Sequence, residues 1–86
     1  MVLADNCAVH IDTLEKLIKP LNNFELAGIA NNGYELIELN NIIKPDLILL
    51  EIELLQLNGI EAIKQCLITN PNLKFIVVSN SDSYAL

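Results

Sequence analysis

The stretch PDLILLEIELLQLNGIEAI, Pro45 to Ile63, decides the fold. Residues 46–52, DLILLEI, read as a strand apolar on both alternating faces. That is the pattern of a central strand in a parallel sheet with helices above and below it. ELLQLNG comes next and reads as a loop closed by Asn58-Gly59. Ile60, Ile63, Cys66 and Leu67 then share one helical stripe that ends near Asn70-Pro71. One residue breaks the rule: Glu51 puts a carboxylate at the end of a run otherwise fit for burial.

Working outward, the same alternation repeats. Residues 2–5, VLAD, read as a strand, and Ile11, Leu14, Leu17, Ile18 and Leu21 form the apolar face of a first helix, weakened near its end by Pro20 and Asn22-Asn23. Residues 24–30, FELAGIA, read as a second strand, followed by a turn at Asn31-Asn32-Gly33. A second helix through YELIELNNII must stop near Lys44-Pro45, because a residue before proline avoids the right-handed helical region. Residues 74–79, KFIVVS, make a fourth strand. DSYAL reads as the opening of a fourth helix, capped by Ser81 or Asp82. Strands joined by crossover helices predict a doubly wound α/β fold with a parallel sheet. Ligands of such sheets sit at the carboxyl ends of the strands. Asp5, Asn6, Glu51 and Ser79 fall there.

The 86 residues allow a single domain with a modest core. Eleven acidic against five basic residues leave a net charge of −6 without a basic cluster, which argues against direct binding of nucleic acid. No apolar run approaches the ~20 residues that span a bilayer, and no charged leader precedes the first strand. A soluble, cytoplasmic protein is expected. Cys7 and Cys66 lack metal-ligand spacing and are read as reduced thiols, with His10 as a surface histidine. DNCAVH after the first strand has no glycine-rich phosphate cradle, so a nucleotide-binding relative of the same sheet finds little support.

In order and spacing, VLADN, GIANNGYELIEL, KPDLILLEIELLQLNGIEAI and NPNLKFIVVSNSDSYAL resemble the receiver domains of two-component response regulators, along residues 2–86. The resemblance implies a flavodoxin-like, CheY-like sheet in the order 2-1-3-4, here without the fifth strand and fifth helix, as an incomplete receiver-like domain over residues 1–86. It also implies signalling and not enzymatic activity, with transcription regulation exerted through an output domain or partner.

Carried over by position, the resemblance puts Glu51 where a receiver has its phosphoacceptor aspartate. Asp5 and Asn6 stand at the acidic pair that helps to hold Mg²⁺, with the Glu53 backbone carbonyl as a further ligand and Ser79 as the switch hydroxyl. The lysine that follows strand five in receivers cannot be placed. Asn6 lacks the charge of an aspartate, and the extra methylene of Glu51 displaces the attacking oxygen by about 1 Å. The expectation is a degenerate receiver that needs no cofactor and does not accept phosphate. The alternative is a phosphorylation-competent receiver taking phosphate from a histidine kinase with Mg²⁺. Glu51 is either a partial mimic of phosphate or a polar residue tolerated at a solvent-accessible strand end. The uncovered fourth strand, Phe75, Ile76, Val77 and Val78, with Tyr84 and Leu86, is the expected interface. It would serve a homo-oligomer or a partner protein, unless the chain is part of a longer regulator.

Overall fold

The computed structural model describes residues 1–78, with backbone alone at 56 and 57. Strand β1 is Val2–Ala4, β2 Gly28–Ala30, β3 Leu47–Glu51 and β4 Lys74–Val78. All pair in parallel in the order β2-β1-β3-β4, the expected sheet. Helix α1 is Ala8–Ile18, α2 Gly33–Ile43, α3 Ile52–Leu54 and α4 Ile60–Thr69. The third helix expected from the sequence is therefore α4. Ser79, Tyr84, Leu86 and the expected start of a further helix at Ser81 or Asp82 lie outside the described residues.

Register separates the sheet into two faces. Val2 pairs with Ile48 and Ile48 with Phe75, while Ala4 pairs with Leu50 and Leu50 with Val77. Residues paired in parallel register point the same way. Val2, Ala4, Ile48 and Leu50 are fully buried in a cluster with Leu36 of α2 and Ala62, Ile63 and Cys66 of α4. Burial of a side chain the size of Leu50 contributes about 1.5–3 kcal/mol. Leu3, Leu49 and Ile76 form the opposite row. There Leu3 is buried, Leu49 half-buried and Ile76 51% exposed. β3 is thus fully covered on one face only, which corrects the expectation of burial on both.

The α1 side shows why. Ile18 is buried and Ile11 and Leu14 are half-buried, but Leu17 and Leu21 of the expected stripe are exposed. The helix runs from Ala8 to Ile18, so Leu21 lies beyond it. β2 is also shorter than the expected strand over residues 24–30. Its partner β1 offers only Val2, Leu3 and Ala4 to pair with, and upstream Met1 accepts from Ala27 N–H at 2.8 Å and donates from its terminal amine to the Glu25 carbonyl at 3.0 Å.

The expected loop over residues 53–59 is helical: α3 runs into a π-helical segment, Leu55–Gly59, and then into α4. The wider π turn needs Gly59, where an added Cβ would lie 2.7 Å from the Leu54 carbonyl oxygen. Asn58, read from sequence as half of a turn signal, instead ties this segment to α2. Its Oδ1 accepts a bond from Gly33 N–H at 3.2 Å, so close that a Cβ at Gly33 would lie 2.8 Å from it. α2 starts on the Asn32 side chain, which accepts from Glu35 N–H at 2.9 Å, while Glu35 Oε1 accepts from Asn31 N–H at 2.8 Å. It stops as expected before Pro45, with Lys44 in the left-handed region at φ 50°. At the far ends of α2 and α4, buried Asn40 bonds Thr69 Oγ1 and accepts from Asn70 Nδ2, both at 3.1 Å.

Candidate functional site

Because Ala4 pairs with Leu50, the residues next in the chain, Asp5 and Glu51, leave the carboxyl ends of neighbouring central strands side by side in the sheet order. Asp5 N–H still donates to the Ala30 carbonyl at 2.9 Å, which holds this strand end against β2. The Asp5 side chain is fully buried. Its Oδ1 accepts from Cys7 N–H at 2.8 Å, and its Oδ2 has no hydrogen-bond partner among the described residues.

Glu51 is only 3% exposed. The expectation of a solvent-accessible strand end is therefore wrong, and the physical reason is that the side chain folds back on its own chain. Glu51 Oε2 accepts from Glu53 N–H at 2.7 Å and from Leu54 N–H at 3.2 Å, capping α3. These are amides that a helix start leaves without intrahelical acceptors. An aspartate at this place would carry its oxygens one methylene closer to the strand. Glu51 Oε1 is buried without a hydrogen-bond partner among the described residues. Leaving such an oxygen unsatisfied costs about 1–3 kcal/mol.

His10 is the residue that sequence reasoning missed. It is half-buried in the first turn of α1, with Nδ1 3.7 Å from Asp5 Oδ2, too long for a hydrogen bond but close enough for charge attraction when protonated. Its position five residues beyond a strand-end aspartate, at the start of a helix, was the available signal. Asn6 is exposed, and Glu53 contributes its N–H to the Glu51 cap with its side chain exposed. The structure thus places Asp5, Glu51 and the Glu53 backbone in one region at the strand ends, with Asn6 on its solvent side.

The two cysteines form no disulfide: Cys7 is half-buried at the start of α1, and Cys66 is buried in the core. Burial pushes the Cys66 thiol above its ordinary value of 9.0. Among the described residues no three His, Cys, Asp or Glu side chains converge in a way that would hold a metal ion. No described helix is long and apolar enough to cross a membrane.

No family model matches the chain. It is 40% identical over 86 residues to the chemotaxis protein CheY of Thermotoga maritima, across all of this chain and 71% of that protein. It is 28% identical over 83 residues to YxjL of Bacillus subtilis, described as an uncharacterized transcriptional regulatory protein, across 96% of this chain and 38% of that one. Among solved structures it is similar to the response regulator domain of Thermotoga maritima CheB, with a TM-score of 0.76 and 32% identity. That match covers 91% of this chain and 57% of that domain.

Proposed function

The chain belongs to the receiver domains of response regulators, and on that premise we propose that it is a receiver that signals through protein contacts without phosphorylation at Glu51. The observation that carries this reading is the double engagement of Glu51 Oε2 by Glu53 and Leu54 N–H. A nucleophile for phosphoryl transfer must present an oxygen in line with the incoming phosphorus. The oxygen nearest the loop is already committed to two amides, and the other is buried.

The Mg²⁺ that the family implies would find fewer charged donors here than its shell usually uses. Asn6 is neutral and exposed, and no three acidic, histidine or cysteine groups converge among the described residues. The octahedral shell of Mg²⁺ is usually anchored by carboxylates, and this donor set falls short of it. The competing reading, a phosphorylation-competent receiver, draws support from the two unpartnered oxygens, Asp5 Oδ2 and Glu51 Oε1, which a cation would satisfy.

Contacts would be made at the outer strand β4, where Phe75, Ile76 and Val77 are 40–51% exposed, with a second copy or a partner protein. Val78 is half-buried beside them. The domain would act in the cytoplasm, and the likeness to YxjL favours an output in transcription regulation exerted through another domain or protein.

Acetyl phosphate with Mg²⁺, followed by intact mass measurement, tests the reading. An unchanged mass is expected. A single phosphoryl adduct that disappears in Glu51→Gln would overturn it in favour of the competing one.

A further inference from the structure

Helices α2 and α4 lie side by side and run in the same direction, joined at one end by Gly33 and Asn58 and at the other by Asn40 and Thr69. Between them, near their N-terminal ends, is a groove of about 120 Å³ walled by Tyr34, Ile37 and Ala62, with Asn58 and Glu61 at its rim. It has room for one aliphatic side chain. The helix pair also presents large apolar side chains to solvent: Tyr34 and Ile42 are each 78% exposed and Ile68 is 72% exposed. Tyr34, Glu38 and Ile42 succeed one another at four-residue spacing on α2, so they form a continuous outer ridge.

Charge on this surface is mainly acidic, with Lys64 of α4 the basic exception. Every charged residue of α2 is acidic, Glu35 and Glu38, and α2 contains no lysine or arginine. On α4, Lys64 is taken up by Glu61 at 3.6 Å, and Glu61 remains largely exposed. An apolar slot with exposed Glu38 and Glu61 beside it is complementary to a segment that carries an aliphatic anchor and neighbouring positive charge.

The groove is also physically continuous with the strand-end site. Glu51 fixes Leu54 N–H, Leu54 leads into the π-helical segment, and Asn58 of that segment forms the rim and holds Gly33. A ligand that presses on Asn58 bears on the same short helical run that Glu51 caps.

We propose that the α2–α4 groove is a docking site for a basic amphipathic helix of a partner protein, which inserts one aliphatic side chain between Tyr34 and Ala62 and sets lysine or arginine against Glu38 and Glu61. This rests on the reading of the domain as one that works through protein contacts, and it assigns a surface other than β4 to that role. The 11 residues of α2 extend about 16 Å, enough to support roughly three turns of a bound helix.

The probe is a fluorescein-labelled synthetic helix with leucines at i, i+3, i+4 and i+7 and lysines elsewhere, titrated into the whole chain and monitored by anisotropy. Saturable binding is expected. The double variant E38K/E61K should weaken it by about tenfold or more, since two favourable charge pairs become repulsive. The variant D12K/E15K makes the same change in net charge on exposed positions of α1 and should leave the dissociation constant within about twofold. Amide shifts should fall on residues 33–38 and 58–65. Equal weakening by both variants would reveal diffuse charge attraction and overturn the proposal. So would equally tight binding of a lysine helix without leucines, or amide shifts confined to residues 74–78. None of these variants alters Glu51, so the phosphoryl-transfer result and this one can fail separately.

Discussion

The ends of β1 and β3 are built alike and do different work. At each, a buried carboxylate accepts the N–H two residues further on, Asp5 from Cys7 at 2.8 Å and Glu51 from Glu53 at 2.7 Å. At each, the second oxygen is buried without a hydrogen-bond partner among the described residues. The downstream segments differ. The turn after Asp5 leads into α1, which buries only Ile18. The turn after Glu51 leads into an unbroken helical run that delivers Leu54, Ala62, Ile63 and Cys66 to the core. Similar local chemistry, with one more amide bound at Glu51, therefore leads to a lightly packed helix at one strand end and to the core at the other.

The largest expected effect probes what each turn delivers. Leu54→Ala should cost about 2–5 kcal/mol in urea unfolding, because it empties a site in the closed core. Leu17→Ala on α1, at 63% exposure, should stay within about 0.5 kcal/mol. Comparable losses at the two positions would mean that α1 is bound as firmly as the helical run that starts with α3, and the contrast would fall.

A smaller effect separates the two carboxylates themselves. Both alanine variants remove one unsatisfied oxygen, but Glu51→Ala also leaves two helix-start amides without an acceptor, against one amide for Asp5→Ala. Glu51→Ala should therefore be less stable than Asp5→Ala by about 1 kcal/mol. The reverse order would show that the cap is not what keeps Glu51 folded back.

The smallest is a pH effect on the α4 side. Burial raises the Cys66 pKa in the folded state, so the unfolded chain gives up this proton first as pH rises. The contribution is fully present below the ordinary value of 9.0 and is lost as pH climbs from there through the folded value. Thermal unfolding of wild type should show this alkaline decline, and Cys66→Ala should flatten it. Half-buried Cys7 should meanwhile react with a thiol reagent well before Cys66.

Much of this architecture was legible in the sequence. Strand and helix periods, with the stops at Pro45 and Pro71, marked four strands and the helices between them, and the resemblance to receiver domains implied the 2-1-3-4 order that the sheet has. The positions of Asp5 and Glu51 at strand ends were legible for the same reason. What escaped was everything set by geometry across the chain. Asn58-Gly59 carries the chemistry of a turn, yet the glycine serves a π-helical approach to Leu54 and the asparagine reaches 25 residues back to Gly33. Glu51 looked exposed because carboxylates at strand ends usually face water. Its burial depends on two amides two and three residues ahead, which only become donors once the supposed loop turns helical. His10 looked solitary because Asp5 becomes its neighbour only when α1 turns back over the strand end.

The proposal that this receiver is not phosphorylated at Glu51 rests on the Glu51 cap, and the amide signals of Glu53 and Leu54 report on that cap directly. In a ¹⁵N-labelled sample both should be protected from hydrogen exchange in wild type, lose that protection in Glu51→Ala, and stay in place in wild type when Mg²⁺ and acetyl phosphate are added. If the two amides exchange freely in wild type, or move together on addition of Mg²⁺ and acetyl phosphate, Glu51 is not held by its own loop and the proposal loses the observation that carries it.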